Sequence, residues 1–357
     1  MILIQILVFL FGAFIVIDTV LSAARTIVVP RGEQVFSSRA VFIVMRRIFN
    51  LWIARVKTFE ERDRIMGYYA PMSLLALPLT WLALVFIGYM GMFWAVGVPS
   101  LEDAFKISGS SLFTLGYAPA TDIPQHILAF SEAAIGLALL ALFITYLPTM
   151  YSSFQRREAL VTLLDVRAGS PPSAVEMIER YHRIHGLERL SEMWARWEEW
   201  FADLEESHTS LAALIYFRSP VSGRSWVTAA GAVLDGASLA ASTLDAPRDP
   251  QADLCIRAGF LALRAIADLL HFQYERNPKP TDPISITREE FDAACDRLAS
   301  KGVPLKPDRD KAWRDFVGWR VNYDTVLLGL ADVTMAPFAP WSSDRSKGKA
   351  RELRRHY

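Results

Sequence analysis

Apolar and charged positions are not mixed evenly along this chain. Up to about Tyr151 the sequence runs in long uncharged blocks, and beyond it charged and apolar residues recur at helical spacing. Three blocks, 2–22, 72–96 and 127–150, are each long enough to cross a hydrocarbon core, which takes about 20 apolar residues. Their charges are sparse: Asp18 near the end of the first, which reads as a snorkelling boundary residue, and Glu132 near the start of the third. From 153 to about 340 the helical period recurs over 154–168, 174–184, 187–206, 209–217, 226–242, 251–275, 288–298 and 311–335. It is broken at Ser170-Pro171-Pro172-Ser173 and in the Pro-rich loops 245–253 and 277–282. Strand alternation is essentially absent, so the pattern predicts an all-α membrane protein with a helical domain after its last span.

Composition agrees with that division. The 357 residues are 52% hydrophobic with a formal net charge of zero, and the apolar excess lies at one end. Cys255 and Cys295 stand far apart without metal-ligand spacing, which predicts two buried reduced thiols rather than a disulfide or zinc framework. Leu21-Ser22-Ala23 offers a cleavage context, but no Lys or Arg precedes the first apolar block, which favours an uncleaved anchor over 1–22.

Charge in the connections sets the expected topology. The linker 23–66 carries nine Lys/Arg (Arg25, Arg31, Arg39, Arg46, Arg47, Arg55, Lys57, Arg62, Arg64) against four acids. The 97–126 loop holds Lys106 against Glu102, Asp103 and Asp122. The positive-inside bias then puts the N-terminus outside and the C-terminal region in the cytoplasm of a cell membrane, plasma or inner. Within the linker, 38–57 places Arg39, Arg46, Asn50 and Lys57 on one stripe of a helix. Val41, Phe42, Met45, Phe49, Trp52 and Ile53 lie largely away from it, the pattern of an interfacial amphipathic helix with its apolar face in lipid. As a span it would bury Arg46 and Arg47 at mid-bilayer.

Between the second and third spans, Pro99-Ser100 precedes Leu101-Glu102-Asp103, a helix N-cap with two acids in the first turn. A helix of about three turns fits before Thr114-Leu115-Gly116-Tyr117-Ala118, and the chain turns at Pro119 into the last span. Span, short capped helix, glycine-containing strip, span: this order over about 69–151 resembles the pore module of the tetrameric potassium-channel superfamily, and the strip resembles its TVGYG selectivity filter. Thr114, Gly116 and Tyr117 match; Leu115 stands for Val, Ala118 for the second Gly and Pro119 for Asp. The resemblance implies a pore domain over 67–152 and a homotetramer conducting K+ or Na+ passively. Backbone carbonyls of Thr114, Leu115, Gly116 and Tyr117 would replace the ion's hydration shell, with the Thr114 hydroxyl at the inner mouth. Gly116 is expected to supply a positive φ. A left-handed Ala118 would cost about 1–2 kcal/mol, which predicts a changed outermost site and relaxed selectivity over sodium. Glu132 and Gly136, one turn apart, are candidates for pore support and gating: the acid braces the pore helix or sits at the outer headgroups, and the glycine forms a bend point.

The region 153–340 shows no GxGxxG turn after a strand, Walker loop, HExxH, kinase signature or Ser-His-Asp order, so neither an enzyme nor a nucleotide cofactor is expected. Trp194, Trp197, Trp200 and Phe201 form an aromatic stripe that reads as core or subunit packing before ligand cage. His182 and His185, with Glu179 and Glu188, are the nearest approach to a metal set. The tail 341–357 is basic and expected to be disordered. Expected partners are copies of the chain, membrane lipids and an unidentified cytosolic ligand or protein, with no nucleic acid. The rival reading is a membrane-anchored helical scaffold or sensor that binds a cytosolic partner without conducting ions.

Overall fold

α1 (Ile2–Ile27) and α4 (Tyr69–Ala95) meet at glycine. A Cβ on Gly12 would lie 2.5 Å from the carbonyl oxygen of Gly88, and one on Gly88 would lie 2.9 Å from that of Gly12, so the two backbones touch. In lipid, apolar side chains gain nothing by leaving hydrocarbon for one another, and small residues that allow close approach supply dispersion contact instead. The computed structural model describes residues 2–27 and 36–354, and this is the most extensive helix pairing in its first unit.

The chain divides into two compact units: Met1–Lys57 with Tyr68–Ser152, and Thr58–Gly67 with Ser153–Tyr357. The expected linker is therefore split, its last nine positions, 58–66, belonging with the C-terminal region; its 28–35 part, with Arg31, lies outside the described residues. In the first unit α2 (Phe36–Ile53) lies on α4, α5 (Leu101–Leu112) follows it, and α6 (Ile123–Ala168) is one helix of 46 residues running on into the second unit. Among the described residues three helices are long and apolar enough to cross a membrane, and the predicted spans fall in α1, α4 and α6. On α2 the inward face differs from expectation. Tyr69 of α4 donates its hydroxyl to Phe42 O at 3.2 Å, meets the rings of Phe42 and Phe49 edge-on and lies under Arg46, so Phe42 and Phe49 pack on protein and Arg46 turns with them.

The second unit comprises α3 (Phe59–Gly67), α7 (Ala174–Arg183), α8 (Leu190–Ser210), α9 (Trp226–Thr243), α10 (Pro250–Leu269), α11 (Arg288–Ser300), α12 (Arg309–Arg320), α13 (Asp324–Thr334) and α14 (Lys349–Leu353), with the C-terminal part of α6. Among the described residues every regular element is helical, with one isolated bridge between Leu244 and Leu305. Capped by Ser225, α9 is buried along its length except at Ala241, and its run of Ala, Gly and Ser lets α7, α10, α12 and α13 pack around it. The α8 stripe of Trp194, Trp197, Trp200 and Phe201 is core. A capping box of Thr287 and Glu290 opens α11. Where 251–275 was expected to stay helical, α10 stops at Leu269 and His271 takes a left-handed φ of 56°. The 311–335 stretch splits into α12 and α13, and in 209–217 Thr209 and Ser210 end α8 before a short 3-10 segment, Ala212–Tyr216.

The tail is a correction. Instead of disorder from 341 onward, Arg345 donates to Ser285 O at 2.7 Å and pairs with Glu290, and α14 seats buried Ala350 and Leu353. Its amide at Ala350 reaches Asp332 at 3.0 Å; residues 355–357 lie outside the described residues. The basic residues that made the tail look solvated are partly spent on these contacts.

Three ionic clusters tie the second unit together. Arg320, fully buried, pairs with Asp235, donates Nε to Asp324 at 2.7 Å and Nη2 to Trp341 O at 2.6 Å. Tyr323 donates to Asp235 at 2.9 Å, and Asp324 accepts from the Ser285 amide and hydroxyl. Arg218 pairs with Asp63 of α3 and donates Nη2 to Thr334 O at 2.7 Å, anchoring α3. Buried Arg157 pairs with Glu158, donates to Leu214 O and Phe217 O, and lies 3.0 Å from His208 Nε2.

Removing one partner of a buried pair strands the other charge at a cost of about 3–5 kcal/mol, so Asp235→Ala should destabilise the second unit by about that amount, read as a lowered denaturant midpoint of the full chain by tryptophan fluorescence. Burial first, and then the Arg157 charge, hold the His208 pKa well below its usual 6.5. The unfolded state takes up this proton as pH falls through about 6.5 while the folded state does not. Stability should therefore drop between pH 7 and 5, and His208→Gln should flatten that slope in pH-dependent denaturation.

Candidate functional site

Ser100 begins α5 in extended backbone, accepts the Asp103 amide at 3.0 Å and donates its hydroxyl to Asp103 Oδ2 at 2.7 Å. Glu102 and Asp103 sit in the positive first turn, and Glu102 holds Lys106. The helix spans 12 residues, as its spacing predicts. On its flank Phe105 meets Phe86 of α4 edge-on with centroids 5.1 Å apart.

At the other end the chain leaves helix by reversing handedness. Thr114 has φ 53° and Gly116 φ 70°, two left-handed residues separated by Leu115. Ser110 holds both ends of the turn: its carbonyl accepts the Leu115 amide at 2.8 Å and its hydroxyl accepts the Ala118 amide at 3.1 Å. Gly116 takes the expected conformation. The strained non-glycine residue is Thr114 rather than Ala118, which has no positive φ. Leu115 and Tyr117 are 64% and 60% exposed in the single chain, so the strip Thr114–Ala118 is held by its backbone while these two side chains lie open.

Glu132 and Gly136 both face the back of α5. Ser108 donates to Glu132 Oε1 at 2.6 Å, while Oε2 is buried with no hydrogen-bond partner among the described residues. One turn on, a Cβ at Gly136 would sit 2.6 Å from the Leu112 carbonyl oxygen. Gly136, expected as a bend point, therefore serves close approach, and Glu132 is buried in the protein rather than at the outer headgroups. A third contact adds to these two: Tyr89 of α4 donates to Ser131 Oγ at 2.8 Å.

The remaining candidates do not converge. Glu179 is engaged by Arg297, and among the described residues no three His, Cys, Asp or Glu side chains gather at metal-binding distance. Cys255 and Cys295 are buried free thiols, and burial pushes the Cys295 thiol up to about 11. The Arg320, Arg218 and Arg157 clusters escaped sequence reading, because nothing in the period separates Arg320 from solvent-facing Arg314 on the same helix.

Together the helices define an all-helical membrane protein with a short capped helix and a non-helical strip between its second and third apolar helices. Searches against family models, curated proteins and solved structures find no match for the chain.

Gly136→Ala should push its Cβ into the Leu112 carbonyl and cost about 1–3 kcal/mol. A lowered thermal midpoint in detergent checks it, against an unchanged midpoint for Ala134→Val at an exposed position of the same helix.

Proposed function

We propose that this chain is one subunit of a homotetrameric cation channel in which Thr114, Leu115, Gly116, Tyr117 and Ala118 line the ion path. The carrying observation is the strip itself: left-handed Thr114 and Gly116 follow a capped helix between two apolar helices, with both ends of the turn tied to Ser110. In ordinary extended backbone successive carbonyls point to opposite sides; a left-handed residue at every second position turns them toward the same side. Carbonyls so aimed substitute for water around a cation, and irregular backbone is tolerated at membrane depth where it lines a pore. One strip cannot surround an axis, so four copies with cyclic symmetry are required. The open side chains of Leu115 and Tyr117 would then be covered by neighbouring copies.

Potassium is the expected permeant ion. The Ala118 amide is held by the protein in an ordinary backbone conformation, so the outermost site departs from a glycine-ended filter and sodium is the ion to compare. Glu132 and Gly136 brace the pore helix from behind. The C-terminal domain acts as the regulator: α6 enters it without a break, and it carries an open cleft of about 960 Å³ lined by Leu190, Trp194, Leu244, Lys306, Lys311 and Arg314, roomy enough for a small ligand.

Purified protein in liposomes should pass K+ down a gradient, and Gly116→Val, which cannot hold a φ of 70° without strain, should abolish flux while oligomers persist. Light scattering should give four times the 40.1 kDa chain mass. A monomer or dimer, or unchanged flux in Gly116→Val, refutes the assignment.

A further inference from the structure

We propose that α2 docks on the anionic phospholipid surface of the bilayer through a face the helix does not share with the protein. Three sectors divide its circumference. One is fixed to protein: Phe42, Arg46 and Phe49 on Tyr69, and Ser38, whose hydroxyl lies 2.8 Å from that of Thr26 at the end of α1. Opposite lies an apolar ridge at i, i+4, i+7 and i+8: Val44, Ile48, Leu51 and Trp52, exposed by 52%, 49%, 75% and 64%. Between them runs a cationic flank, Arg39 and Arg47 at i and i+8, both exposed and without a hydrogen bond or ion pair among the described residues.

Charge and placement select the occupant. From Phe36 to Phe59 the sequence has five basic residues and no acid, so the flank has no neutralising partner of its own. α2 is tied to the last turn of α1 and the first residue of α4, both long and apolar enough to span, so its ridge lies where those helices leave the hydrocarbon. A helix with exposed Leu and Trp beside unpaired arginines is matched by acyl chains under anionic headgroups. The sequence pattern pointed to lipid with a partly different set of residues: Trp52 faces outward as expected, Phe42 and Phe49 are taken by α4, and Val44, Ile48 and Leu51 take their place.

The inference requires membrane residence and not ion conduction, so its test uses no flux. Both native cysteines are buried, so nitroxide attached at Val44→Cys or Leu51→Cys in the full-length protein reports one site. In nanodiscs, collisions with oxygen should exceed those with a water-soluble nickel chelate several-fold at both positions. A dominant nickel signal places the ridge in water, and suppression of both signals places it against another protein copy; either result overturns the proposal. Spin-labelled phosphatidylglycerol should associate with the wild type more than spin-labelled phosphatidylcholine, by about fivefold for each engaged arginine. That preference should fall toward unity in Arg39→Gln/Arg47→Gln while the collision pattern at Leu51→Cys persists. Equal association of the two lipids with the wild type overturns the anionic preference.

Discussion

Hydrocarbon offers no hydrogen-bond partner, and the first unit is organised by that constraint. Helices meet it internally, which is why α1, α4 and the apolar part of α6 are long and lack polar breaks. The exception is the stretch after α5, where helical bonding stops. Ser110 compensates with its carbonyl and its hydroxyl, taking up two amides that the strip would otherwise leave bare. The Ser108 hydroxyl does the same for one oxygen of Glu132. The polar residues of α5 thus look less like a solvent-facing stripe than like partners for groups that helix cannot satisfy.

Much of this was legible because membrane grammar is coarse. Three apolar blocks gave three long helices, and Ser100 with two following acids gave a capped α5 of the predicted length. The residues of the strip could be picked out, but not where its strain would fall. That depends on how α5 ends: Thr114 inherits the reversal at the helix terminus, and Ala118 is spared because Ser110 reaches its amide. Gly136 was visible as a glycine, whereas its purpose depends on a carbonyl twenty-four residues earlier in the chain.

In the second unit the helical period located the elements and concealed the charges. Arg320, Asp235 and Asp324 are ordinary helix residues in one dimension, yet they form a buried cluster that also grips Trp341, in the segment read as a free tail. Net charge told nothing here, since what mattered was the geometry of opposite charges brought together by α9, α12 and α13. The same limit applied to α2, where hydrophobic periodicity identified an amphipathic helix but could not say which of two apolar faces α4 would claim.

The uninterrupted length of α6 has a mechanical meaning. At about 1.5 Å per residue its 46 residues carry the helical path for close to 70 Å. Pro148, inside the helix, deletes one backbone hydrogen bond along that length. Compliance in the helix is thereby concentrated near the point where its apolar half gives way to its charged half, making Pro148 a natural flexure in an otherwise stiff beam.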